Sequence, residues 1–149
     1  MTTIERVQSE LRDAMKSGDR VRLDALRLLY ASLQRAEKDK PAGEFTEQDA
    51  LAVLRRERKQ RVEAAEAYRT AGQEERAAGE EADIPVIDGY LPAAMSEAEL
   101  EALVDAAIAE TGATTVKDMC RVMGLVTQRG EGRADGRTAS ALVRSRLSA

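Results

Sequence analysis

The sequence predicts an all-α protein, with an N-terminal helical bundle followed by a small C-terminal three-helix domain. Hydrophobic residues make up 43% of the 149-residue chain but aromatic residues only 3%, so the core must be aliphatic, which suits helix packing. Charged residues make up 34%, a share typical of helices with solvated outer faces. No segment alternates apolar and polar residues over a length that would predict a β-strand.

The first two helices are predicted from caps and apolar spacing. Residues 2–5 form a capping box, an apolar stripe extends from Ile4 to Met15, and Gly18 ends the first helix. Asp19 is the predicted cap of the second helix, which extends to about Lys38. This helix has the broadest apolar face of the chain, and Leu28 widens that face. We therefore expect it to be the central element of the N-terminal bundle.

The next two helices complete the bundle. Thr46 is the predicted N-cap of the third helix, which ends near Gly72. The fourth covers about residues 73–90 and is acidic at first and apolar later. Pro85 lies inside it and removes a helical hydrogen bond, so we expect a kink or a break at that point.

A short Pro-containing segment separates the two predicted domains. Residues 91–95 are the best linker, which places the N-terminal bundle at residues 1–92 and the C-terminal domain at residues 93–149. A second capping box begins the fifth helix directly after the linker. The sixth helix is predicted to start at Thr115, and Asp135 is the predicted cap of the seventh.

The charge is distributed unevenly along the chain. Residues 1–111 carry a net charge of −8 and residues 112–149 a net charge of +4, within a total of −4. An anionic partner is therefore expected to meet a local basic patch. The candidate binding residues are Lys117, Arg121, Arg129, Arg133, Arg137 and Arg144.

Two of these residues, Arg133 and Arg137, flank the predicted start of the seventh helix. Free backbone N–H groups at a helix start attract anions, so the two arginines are predicted to form a phosphate cradle there. The glycines of this turn would let the backbone approach a phosphate closely. The alternative is that these are ordinary solvated charges and that the glycines only shape the turn. Gly124 is expected to mark a close helix crossing, not a ligand contact.

Several classes of catalytic site are excluded by composition. The chain has no His, which removes the common nucleophile–base pairs and His-ligated zinc. The single Cys, Cys120, excludes an internal disulfide and a CxxC site, and we expect it to be half-buried in the core. No cofactor or metal site is predicted. No apolar run approaches the length of a membrane span, and we expect a cytoplasmic protein with no membrane partner.

An ordered series of short segments resembles the GatB/YqeY family, over nearly the whole chain. In the C-terminal half the matching segments are residues 90–92, 96–100, 111–113, 117–119, 123–124 and 132–136. In the N-terminal half they are residues 26–29, 53–54 and 59–61. The sequence departs from the family at Pro85, which interrupts a helix expected to be continuous, and at Arg58, where relatives prefer an apolar residue.

The resemblance implies a two-domain helical fold whose C-terminal domain is similar to the tail of the GatB subunit in the tRNA-dependent amidotransferase. In that enzyme the tail contributes to tRNA binding, while the chemistry takes place in other domains. Our leading hypothesis is therefore a non-catalytic or accessory protein that binds tRNA or another structured RNA. The family also carries a second possibility, a carbon–nitrogen ligase activity with glutamine as the amido donor.

A third possibility is a protein-interaction adaptor that uses the acidic fourth-helix region. The basic run at residues 55–61 is either a solvated surface or a second contact with a phosphate backbone. Aromatic residues that could stack on bases are nearly absent. Any RNA recognition would therefore read shape and phosphates, and we expect no sequence readout of DNA.

Overall fold

The computed structural model describes residues 1–148, and over that range it contains seven α-helices, one 3₁₀ helix and no β-strand. The prediction of an all-α protein is confirmed. The chain divides into two compact units, Met1–Leu91 and a second that begins at Pro92. None of the helices in the described range combines the length and hydrophobicity that crossing a bilayer requires.

The N-terminal unit consists of four helices. They are α1 (Thr3–Ser17), α2 (Arg20–Lys38), α3 (Glu47–Thr70) and α4 (Glu74–Asp88). The first three begin at the predicted caps, because the side chains of Thr2, Asp19 and Thr46 each accept a hydrogen bond from the backbone N–H three residues later. Each cap satisfies one of the N–H groups that a helix start leaves without an intrahelical partner.

The core of this unit is built around α2, which contacts each of the other three helices. Leu26, Leu29 and Leu33 of α2 are fully buried and join one cluster with Val7 of α1 and Leu54 of α3. Burial of such a side chain contributes about 1.5–3 kcal/mol, so this cluster is the main stabilising element of the unit. The prediction that the second helix is central is confirmed.

Two residues expected on inner faces are exposed, Met15 at 58% and Leu28 at 51%. Ala14 is buried and takes the inner position at the end of α1. Leu28 lies between Leu26 and Leu29 in the chain, and the helix rotates by about 100° per residue, so Leu28 lies off the arc that those two leucines share. The apolar spacing located the buried stripes correctly, but the predicted stripes included residues at their edges that are exposed.

Ion pairs join α3 to α4 along the basic run. Arg61 contacts Glu57 at 3.6 Å and Glu80 at 3.1 Å, and Arg58 contacts Asp88 at 2.6 Å. Arg61 is only 19% exposed, so its pairs are better shielded from water than those on an open helix face. The pairs with Glu80 and Asp88 hold α3 and α4 together, and Arg58 therefore has an acidic partner within the N-terminal unit.

The helix α4 is continuous through Pro85, so of the predicted kink or break, the break is wrong. Pro85 is exposed and lies three residues before the helix ends at Asp88. At that position the missing N–H removes one hydrogen bond of the last turn, and the N–H of Gly89 still bonds the carbonyl of Pro85 at 3.1 Å. The cost is confined to the helix end and does not interrupt the element.

The C-terminal unit consists of three α-helices and a 3₁₀ helix. They are α5 (Glu97–Thr111), the 3₁₀ helix (Val116–Asp118), α6 (Met119–Gly130) and α7 (Gly136–Ser148). Its core contains the fully buried side chains of Val104, Val122, Val126 and Val143, from all three α-helices. The predicted cap of α7 is confirmed, because Asp135 accepts a hydrogen bond from the backbone N–H of Thr138 at 3.0 Å.

Two expectations about α6 are wrong. Cys120 is exposed, not half-buried, because Val122 and Val126 occupy the inner face of the helix. Gly124 does not mark a close helix crossing, since a Cβ atom placed there would meet nothing within 4 Å. The close approach occurs at Gly130, where a Cβ atom would lie 2.9 Å from the Cβ of Ala134.

Candidate nucleic-acid interface

The six predicted binding residues all lie in the C-terminal unit, on the 3₁₀ helix, α6, α7 and the loop between those two helices. Lys117 lies on the 3₁₀ helix, Arg121 and Arg129 on α6, Arg133 in the loop, and Arg137 and Arg144 on α7. The 3₁₀ helix contacts both α6 and α7. Some of these cations have no ionic partner, and others form ion pairs within the C-terminal unit.

Acidic residues, most of them on α5, bind several arginines of the predicted patch. Arg129 pairs with Glu110 and Arg133 with Glu99 at 3.0 Å, while Arg121 pairs with Asp118 at 3.0 Å. From residue 92 to the end, the chain has seven Lys or Arg and eight Asp or Glu, a net charge of −1. The positive charge of the last third is therefore balanced within its own unit, which the charge count along the sequence did not anticipate.

Arg133 has a structural role that no sequence pattern indicated. Its Nε donates to the carbonyl of Ala93 at 2.9 Å, and its Nη2 donates to Glu99 at 3.0 Å. Its own backbone carbonyl accepts from the N–H of Met95 at 3.0 Å. Hydrogen bonds from Ser96 first, and then from Arg133, lower the pKa of Glu99. We call this set the Arg133 clamp, because it fastens residues 93–95 to the loop before α7.

The start of α7 already has a negative group. The carboxylate of Asp135 accepts hydrogen bonds from the N–H of Thr138 at 3.0 Å and from its hydroxyl at 2.6 Å. A carboxylate in this position takes up a helix N–H and repels a second anion. Together with the Arg133 clamp, it makes a phosphate cradle at this helix start less favourable than the sequence suggested.

Three of the predicted residues remain without an ionic partner. Lys117, Arg137 and Arg144 form no ion pair with any residue in the described part of the chain. All three are exposed. Arg137 and Arg144 are seven residues apart, about two helical turns, so they lie on one side of α7. With Arg121, whose side chain is 59% exposed, they form the residual basic set of the unit.

A shallow groove of about 280 Å³ lies between α5 and α7. Its lining includes Leu100 and Leu142, and its acidic residues are Glu97 and Glu101 of α5. The exposed Ala141 of α7 also lines the groove, and Arg137 and Arg144 are exposed about one helical turn before and after it. We call the exposed edge of α7 that carries Arg137, Ala141 and Arg144 the α7 ridge. The α7 ridge borders the groove on one side, and Glu97 and Glu101 of α5 border it on the other.

The thiol of Cys120 and the acidic side chains of α4 are the groups that could in principle take part in catalysis, and none of them lines this groove. Cys120 is exposed on α6 of a chain that has no His. In the residues described, no group of three or more His, Cys, Asp or Glu side chains is arranged to hold a metal ion. The carboxylates of Glu80 and Glu81, on α4, pair with Arg61 and Arg69 respectively.

A comparison with known protein families gives a match that covers both units. The model of the family described as Yqey-like protein matches residues 4–147. The chain belongs to the YqeY-like family. The match spans all seven helices except the first residue of α1 and the last residue of α7. No curated protein matches the chain. Membership in the YqeY-like family therefore applies to both units, while the ligand has to be argued from the surface.

Proposed function

We propose that this YqeY-like protein binds structured RNA, with tRNA as the first candidate, in a non-catalytic or accessory role. The observation that supports this proposal is the set of exposed cations that lack ionic partners, Lys117, Arg137 and Arg144, joined by the weakly paired Arg121. An Arg or Lys without an internal partner is free to neutralise a phosphate without breaking an ion pair first.

The type of recognition follows from composition. From residue 92 onward the chain has no Phe, Tyr or Trp, so no base can stack on an aromatic ring of this unit. Recognition would rest on phosphates and on the shape of a folded RNA, without reading its bases. The resemblance of this unit to the tail of the amidotransferase GatB subunit supports tRNA as the first ligand to test. An RNA partner of this kind would place the protein in the cytoplasm.

The strength of binding follows from charge. The protein carries a net charge of −4 and the C-terminal unit −1, so the long-range field does not favour a polyanion. Binding depends on a few local contacts and should be weak and steeply reduced by salt. A protein partner that contributes further contacts would raise the affinity, which fits an accessory role.

The test compares two triple variants in tRNA binding by fluorescence anisotropy over a range of salt concentrations. Replacing Lys117, Arg137 and Arg144 with Ala removes the proposed contacts. The matched control removes the same charge from the N-terminal unit, where Arg12, Lys16 and Arg20 are exposed, lie outside the basic run and take part in no ion pair within the described chain.

Each phosphate contact contributes about 0.7–0.9 to the slope of log K against log salt concentration. The C-terminal triple variant should therefore lower the magnitude of that slope by about 2–3 and weaken binding, while the control variant changes the slope little. The proposal is abandoned if the wild-type protein does not bind tRNA at low salt, or if both triple variants weaken binding equally.

A further inference from the structure

Two acidic and two basic side chains border the groove between α5 and α7, and all but one of these four have no ionic partner within residues 1–148. Glu97 forms no ion pair in residues 1–148, and Glu101 reaches Arg146 only at 3.9 Å between side chains that are 45% and 39% exposed. Arg137 and Arg144, on the neighbouring ridge of α7, also have no ionic partner in that range. Three charged side chains without an ionic partner, together with the weakly paired Glu101, thus lie beside one apolar groove.

The α7 ridge has a small residue at its centre and a long basic side chain at each end, which suits packing into such a groove. Between Arg137 and Arg144 the exposed residue at the centre is Ala141, whose small side chain permits a close helix–helix approach. The two arginines are separated by about two helical turns, which places one on each side of the crossing point. Their long side chains can reach a pair of carboxylates on a neighbouring helix.

We infer that the α5–α7 face is a self-association surface that docks a second copy of this chain. In the dimer, the α7 ridge of one copy lies in the groove of its partner, with Arg137 and Arg144 against Glu97 and Glu101 of the partner chain, so RNA and the second copy compete for these two arginines. Two-fold symmetry creates the same contact twice, because each copy supplies both a ridge and a groove. The occupant is a second copy because the same surface carries both acidic and basic side chains beside one apolar groove, so that two copies can complement each other in charge.

The contact is expected to be weak and sensitive to salt. The groove is shallow, its apolar floor is small, and exposed ion pairs contribute little individually and are screened by ions. A dissociation constant on the order of micromolar or weaker follows for an interface at the small end of the range. Self-association should therefore be visible only as a dependence of mass on protein concentration.

The experiment is sedimentation equilibrium of nucleic-acid-free full-length protein over a wide concentration range, with two charge-reversed variants. One is Arg137→Glu with Arg144→Glu, and the other is Glu97→Arg with Glu101→Arg. Each reversal places like charges across the contact and should weaken self-association about tenfold or more. The control, Arg12→Glu with Lys16→Glu, makes the charge change of the first variant on α1 and should leave self-association unchanged. Circular dichroism establishes that each variant is folded.

Mixing the two reversed variants is the decisive measurement. The acidic ridge of one then faces the basic groove of the other, in both halves of the contact, so the mixed pair should associate as wild type does. A wild-type protein that stays monomeric at every concentration overturns the inference. So does a dimer that tolerates both reversals, or a mixture in which association is not restored.

Discussion

The Arg133 clamp predicts that Arg133→Ala lowers stability more than it lowers RNA affinity. The variant loses the bond to the Ala93 carbonyl at 2.9 Å and the bond to Glu99 at 3.0 Å. A protein hydrogen bond contributes about 0.5–1.5 kcal/mol net, and an exposed ion pair about 0.2–1 kcal/mol. The side chains of Arg133 and Glu99 are 37% and 50% exposed, which keeps the pair near the lower value. The expected loss is about 1–2 kcal/mol of unfolding free energy.

The assay is urea unfolding followed by circular dichroism, with limited proteolysis of residues 92–96 as a local readout. Arg137→Ala is the matched control, since Arg137 forms no ion pair in the part of the chain described and a surface change of this kind costs less than about 0.5 kcal/mol. Arg133→Lys should recover part of the loss because an ammonium group can donate to one acceptor. If Arg133→Ala is no less stable than the control and loses most of its tRNA affinity, the clamp is the wrong description.

Two further predictions concern stability. Leu26→Ala removes a side chain that is 0% exposed at the centre of the N-terminal unit, and it should cost about 2–5 kcal/mol in urea unfolding; a cost under about 1 kcal/mol would mean that this core is misdescribed. Hydrogen bonds from Lys40 first, and then from Thr46, lower the pKa of Asp49 from 3.8 to about 2. Ionised Asp49 therefore stabilises the fold above pH 3.8, and this contribution is lost as the pH falls toward 2. The stability difference between wild type and Asp49→Asn should shrink over that interval, and a constant difference would contradict the assignment.

Local signals in the sequence were enough to predict the helices. Caps such as Thr2, Asp19 and Asp135 act on backbone groups three residues away, so their effect depends on near neighbours in the chain. Apolar spacing likewise located the buried stripes. It did not locate their edges, which is why Met15 was expected inside and is exposed. A stripe at helical spacing gives a direction, and the width that is buried depends on how closely the neighbouring helix packs.

The candidate interface was harder to predict because it depends on contacts distant in sequence. Arg133 bonds a carbonyl 40 residues earlier, and Arg129 pairs with Glu110 on another helix. A count of charge along the sequence treats these arginines as free. Only the packing of α5 against α6 and α7 reveals that the acidic residues of α5 neutralise some of them and leave Arg137 and Arg144.

The exposure of Cys120 has a practical consequence for testing these ideas. It is the single cysteine of the chain and lies next to Arg121, between the proposed RNA-contacting cations of the 3₁₀ helix and α6. A thiol-reactive dye would attach at one defined position of the unmodified sequence, without any engineered residue. Its emission would respond to a ligand docked on that surface, so the native thiol provides a built-in reporter for both arrival and departure of RNA.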